Sequence, residues 1–234
     1  MPLGIDGCAG GWLVAEAASA ADVPSFRLVR RFAPLADEIA RRREIALLDM
    51  PIGLADGERG RRCDAEARAL LGWPRATSVF TPPSRSALRG RGDARVRALN
   101  VAACGKSLSS QCLRILPRIR EVDAVLTPAL QRRVREAHPE AVFARLAASG
   151  RGIAAPKRST PGRARRLALL PPAFAAAAPP RGALPFPARV AAPDDYVDAL
   201  ALLVAALDLA AGTGGRLPRR AERDARGLSM EIVF

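Results

Sequence analysis

The most constraining stretch of this 234-residue chain is "PDDYVDALALLVAALDLA", residues 193–210. Nine apolar residues run without a break from Ala199 to Leu207. A helix that is apolar on every side has to be buried on every side, and a run this short falls well below the ~20 residues that span a bilayer. The expected element is therefore a core helix over Asp195–Ala211, and the rest of the chain has to wrap it. Hydrophobic residues make up 49% of the sequence, enough for that core, but aromatics only 4%, so Ala, Leu, Val and Ile fill it.

The covering layer reads as a sheet. Leu3–Cys8 and Trp12–Ala17 form an antiparallel hairpin joined through glycines. Ser25–Phe32 is a third strand, Leu35–Arg43 a helix, and Glu44–Leu48 a short buried strand. Gly57 to about Leu130 has helical character at Cys63–Leu71 and Ala94–Cys104, a Pro- and Ser-rich loop over Trp73–Arg89, and a mixed stretch, Ser109–Leu126, interrupted by Pro117. It reads as a largely helical insertion, about residues 57–130, in one domain covering residues 1–234. Val134–Ala137 is a strand, and Glu140–Ser149 and Thr160–Leu170 are helices. Pro171–Pro193, with seven prolines, is expected to be a poorly ordered surface loop. Leu228–Val233 is a closing strand. The alternation argues for an α/β layered fold.

Inside these elements sit acids that are costly where they are. Asp6 lies within an apolar strand, where a carboxylate needs a partner or a metal; the competing reading is a turn aspartate accepting N–H bonds from the glycines. Asp49 ends the strand "EIALL" before "MPIG", at the carboxyl end where α/β sheets gather ligands; the alternative is an Asx-turn. Asp194 is placed as helix N-cap, and Asp195 suits the positive helix end. Asp198, one turn on, points inward, and two like charges at that spacing repel by roughly 0.2–0.5 kcal/mol even when exposed. A shared cation would reverse that cost. Glu140, in "REAHPE", is either a helix-start acid or a functional one, with His138 a local donor or a substrate contact. Lys157, in "APKRST", is either a solvated loop lysine or a phosphate contact.

Other chemistries find little support. The four cysteines form no C-x-x-C pair and there is a single histidine, which argues against zinc. Ser78 and Ser109 lack a G-x-S-x-G elbow, and Cys63 reads as a core or helix-start residue. No secretory signal or spanning segment is read, so reduced thiols and a cytoplasmic location are expected. The formal charge is +14, which admits a nucleic-acid partner. All but Lys106 and Lys157 of the 37 basic residues are Arg, a bias that GC-rich coding also produces, so charge alone does not require one.

The series "GIDGCAGGW", "LLDMPIGL", "RRCDAEAR", "SVFTPPSR", "LSSQCLRILPRIREVD", "REAHPE", "DDYVDALA" and "GLSMEIVF" resembles, in order and over nearly the whole chain, the domain-of-unknown-function family 429, described as predicted ribonuclease H-like nucleases. The resemblance implies a ribonuclease H-like fold: a mixed five-stranded sheet, its first three strands antiparallel, flanked by helices. The pattern is similar to RuvC-type junction resolvases, with Asp6 matching the first-strand acid and Asp195 and Asp198 the last-helix pair. Asp49 stands where those enzymes carry Glu, a shorter side chain. The resemblance implies that Asp6, Asp49, Asp195 and Asp198 hold Mg²⁺ or Mn²⁺, that these acids and Glu140 catalyse phosphodiester hydrolysis of DNA or RNA by a two-metal mechanism, and that Lys157 and His138 contact substrate. Two rival functions remain at this stage. One is a nucleotide-binding phosphotransferase or ATPase of the related actin-like fold, whose first phosphate loop Asp6 and the glycines after it resemble and whose second would have to be the weak "AGTGG" at Ala211–Gly215. The other is a non-catalytic binding protein.

Overall fold

The computed structural model describes residues 1–180 and 182–234. A five-stranded mixed sheet forms its centre, in the order β3-β2-β1-β4-β5. β1 (Leu3–Cys8), β2 (Gly11–Glu16) and β3 (Ser25–Val29) make an antiparallel meander; β4 (Ala46–Leu48) and β5 (Val134–Glu136) run parallel to β1. Leu3, Ile5, Trp12 and Val14 face one side of the sheet, Leu13 and Ala15 the other, as alternation requires. α1 (Phe32–Arg42) and α4 (Ser110–Val125) cover the first side. α8 (Pro193–Ala210) covers the second and is buried from Tyr196 to Ala206. Gly4 permits this contact: a Cβ there would stand 2.1 Å from the Ala199 carbonyl oxygen and 2.3 Å from the Leu203 nitrogen. α8 therefore lies with its backbone against β1, its first turn directed toward the carboxyl ends of β1 and β4.

Between β4 and β5 lie α2 (Arg62–Leu71), α3 (Asp93–Cys104) and α4, with 3-10 turns at Arg75–Ser78 and Ser86–Arg89 inside the expected loop. After β5 come α5 (Pro139–Leu146), α6 (Thr160–Leu167), α7 (Pro172–Ala177) and α8, then the hairpin β6 (Arg216–Arg223) and β7 (Ser229–Val233), joined to the β5 edge by an Ala137–Val233 bridge.

Three expectations are corrected. Ser109–Leu126 is not interrupted at Pro117. It is one 16-residue helix, capped by Ser109 Oγ and pinned by Cys112, Leu116, Ile119 and Val122, buried at helical spacing; that packing outweighs the hydrogen bond lost at Pro117. The proline-rich stretch before α8 is no poorly ordered loop: it holds α7, buries Phe174 completely, and the Val190 carbonyl accepts from the Gly10 N–H at 2.8 Å. The N-cap of α8 is Ala192, not Asp194. In "AGTGG", the Gly212 and Thr213 N–H groups close onto the Leu209 and Asp208 carbonyls, a helix C-cap. Among the described residues no helix is long and apolar enough to cross a membrane.

Candidate active site

Asp6 and Asp49 occupy adjacent register positions. Ile5 pairs with Leu48, and the Asp49 N–H continues the ladder to the Ile5 carbonyl at 3.0 Å. Alternation aims both side chains at the α8 face. Asp195 and Asp198 approach from the first turns of α8. Asp6 is 6% exposed and Asp198 2%; Asp49 and Asp195 are partly buried. Asp198, Asp194 and Lys157 line a narrow cleft at the start of α8. A larger one of about 590 Å³, lined by Gly7–Ala9, Met50 and Arg114 and Arg118 of α4, opens on the α4 side of the strand ends and is lined by none of the four acids.

The electrostatics of the four acids are shared. Burial raises the Asp6 carboxyl well above its ordinary range, and Asp198, Asp49 and Asp195 raise it further. Burial raises Asp49 and Asp198 too, with His138 and Lys157 respectively acting in the opposite direction. Asp195 is pushed up to about 6 by burial, although the Ala192 N–H donates to its Oδ2 at 2.7 Å. Among the described residues no hydrogen-bond donor reaches the carboxylate of Asp6 or Asp49.

The nearest cation is Lys157. Its Nζ lies 2.6 Å from Asp198 Oδ2 and 3.5 Å from Asp194 Oδ2. Burial opposes ionisation of Asp194, yet Lys157 and Arg158 bring its carboxyl below the usual value. Lys157 is held over the acids by a brace. Arg166 of α6, fully buried, donates to both oxygens of Glu140 at 2.9 and 2.8 Å and to the Ala155 and Gly162 carbonyls. Glu140 is thus beside the cleft but fully engaged as an anchor. His138 caps α5: its Nδ1 accepts from the Glu140 N–H at 3.2 Å, which leaves the proton on Nε2, 3.3 Å from the Ser78 carbonyl.

A second buried network supports Asp49 and was not singled out from the sequence. Glu136, at the end of β5, accepts from the Ile52 N–H at 2.6 Å and from Arg61; Arg61 also donates to the Gly53 carbonyl at 3.1 Å and to Asp64 at 2.8 Å. These bonds fix the turn that follows Asp49. The signal was a glutamate ending a short strand beside the candidate acids, with Val134 buried and Arg135 half-buried.

The donor set is chemically suited to a hard divalent cation: oxygen ligands only, two of them without a hydrogen-bond donor, in a place where burial penalises uncompensated charge. The carboxylates as they stand do not close on a common point, since no group of three His, Cys, Asp or Glu among the described residues is placed to hold a metal ion.

The family model "Protein of unknown function (DUF429)" matches residues 4–223, which takes in every one of these acids. The chain belongs to the DUF429 family. No curated protein and no solved structure matches it. The DUF429 match runs from β1 into β6, so the acid cleft, the Glu140–Arg166 brace and the Arg61–Glu136 network all lie inside the family region.

Proposed function

We propose that this DUF429 chain has a ribonuclease H-like fold and is a metal-dependent nuclease that hydrolyses phosphodiester bonds of DNA or RNA. The observation that carries the reading is that Asp6, Asp49, Asp195 and Asp198, from two adjacent parallel strand ends and one helix, come close enough for the other three to raise the Asp6 carboxyl beyond what its burial does. The sheet order and the antiparallel first three strands agree with the fold that the sequence resemblance implies.

In this reading the four aspartates hold Mg²⁺ or Mn²⁺. A bound ion would polarise the phosphoryl oxygen and lower the pKa of an attacking water. The chain's own residues do the positioning. Asp6 and Asp49 present oxygens from the sheet, Asp198 from α8, and Asp195 from the rim. Lys157 stands where an incoming phosphate would compete with Asp198 for its ammonium. A polyanionic partner suits the surface as well. A cleft of about 400 Å³ between the amino end of β5 and the β6–β7 hairpin is lined by Arg132, Arg135, Arg216, Arg219, Arg220 and Arg223, with Glu231 the only acid among its described lining residues.

The test is cleavage of labelled single-stranded DNA, duplex DNA and RNA in Mg²⁺, Mn²⁺ or EDTA. The expected outcome is cleavage of at least one substrate that needs the metal and falls by orders of magnitude in Asp6→Asn and Asp49→Asn. Cleavage that persists in EDTA, or is unchanged in both variants, would contradict it.

A further inference from the structure

One large side chain stands apart from the packing. Trp73 is 85% exposed, whereas the other tryptophan, Trp12, is completely buried. Trp73 follows the Gly72 cap of α2 and begins the turn that leads into the 3-10 segment Arg75–Ser78. Two arginines stand in the same turn region. The Arg151 guanidinium lies over Gly72, with Nη1 3.6 Å from where a Cβ would stand. Arg75 packs against Gly152, and its Nε is buried without a hydrogen-bond partner. No carboxylate pairs with either arginine among the described residues.

The turn is tied to the acid cleft at both sides. Ser78, five residues on, offers its carbonyl to His138 next to Asp49; at about 2 Å per residue that is ~10 Å of chain. On the other side the Gly152 N–H donates to the Leu71 carbonyl at 3.2 Å, and the same segment continues to Lys157 over Asp198. Trp73 is therefore at the outer end of two segments whose inner ends border the carboxylates.

An exposed indole in a turn that also carries two arginines without carboxylate partners has the chemistry of a base-stacking platform: the ring takes a nucleobase face and the arginines take nearby phosphates. A base inside a duplex has both faces covered by its neighbours, so this surface selects unpaired nucleotides. We infer that Trp73, with Arg75 and Arg151, stacks a base of single-stranded nucleic acid a few nucleotides from the cleft, which makes the substrate a single strand, an overhang or an unpaired junction. This deepens the nuclease reading and rests on it.

Tryptophan emission tests it without turnover. The protein in EDTA is titrated with a short single-stranded oligothymidylate and with a duplex of equal length, and affinity is followed in parallel by anisotropy of a labelled strand. The single strand should quench the exposed, red-shifted emission and the duplex should not. Trp73→Ala should weaken single-strand binding by about 5- to 150-fold, and Trp73→Phe should restore most of it. The exposed position predicts unchanged thermal unfolding in both variants. Single-strand binding with unaltered emission, or equal affinity in Trp73→Ala, would overturn the stacking role and leave the nuclease reading standing. Absence of binding to either form would remove both.

Discussion

Glu140 and Asp6 are both acids buried at the carboxyl end of the same sheet, 4% and 6% exposed, and the chain treats them in opposite ways. Glu140 meets a fully buried guanidinium with both oxygens, and that guanidinium bonds two further carbonyls. Asp6 has no donor among the described residues, and its burial, together with three more aspartates, raises its pKa. Glu136 and Asp64 follow the Glu140 pattern, with Arg61 between them. The difference separates scaffold from site. Where this chain uses a buried acid to hold segments together, it supplies an arginine. At the Asp6 cluster the fold supplies only Lys157, which pairs with Asp198 and Asp194, and in the proposed function a bound cation supplies the remaining compensation.

The comparison breaks most visibly at Arg166. Arg166→Met should cost about 3–5 kcal/mol in chemical denaturation, because it strands a buried Glu140 carboxylate. The double variant Arg166→Met, Glu140→Leu should recover a large part of that loss. A cost below about 1 kcal/mol for the single variant would show that the pair is no anchor.

A smaller effect sharpens the other side. In EDTA the site acids should make the fold less stable as pH rises. An unfolded aspartate ionises near pH 4, while Asp195 in the fold titrates near 6 and Asp6, Asp49 and Asp198 are also raised. Between those values the folded chain binds more protons, so increasing pH favours unfolding. Asp194, whose pKa is lowered, contributes with the opposite sign, and its share is lost only in acid. Thermal unfolding from about pH 4 upward should show the decline, flattened in Asp6→Asn. A midpoint that rises steadily across pH 4–6 would contradict it.

Parts of this contrast were legible in the sequence. Asp6 stood out because strand alternation leaves no polar position in "GID", and Asp198 because nine apolar residues follow it. β1, β2 and β4 could be read because they are short apolar runs with distinct ends, while the mixed order of the sheet came from the family resemblance. The brace could not: Glu140 and Arg166 are 26 residues apart, on two helices whose packing no local pattern announces. Arg166 is one of several arginines in the Thr160–Leu170 helix, and nothing in their spacing marks it as the buried one. β6 was missed because "RLPRRAER" has no apolar alternation; it exists because Leu217 and neighbouring residues pair with β7. α4 was misread at Pro117, where local propensity pointed one way and four buried side chains the other.

The central claim is that the Asp6 cluster awaits a cation, and thermal unfolding of wild type and Asp6→Asn, each in EDTA and in excess Mg²⁺ or Mn²⁺, tests it directly. Asn keeps the shape and removes one negative charge, so in EDTA the variant should be at least as stable as wild type, repulsion among the clustered acids being relieved. Metal should raise the wild-type midpoint through binding to the folded state, and Asp6→Asn should lose most of that gain. A structural turn acid would behave oppositely: Asn would weaken charge-assisted hydrogen bonds at a cost of about 1–3 kcal/mol. A destabilised Asp6→Asn, with neither protein responding to metal, would contradict the account.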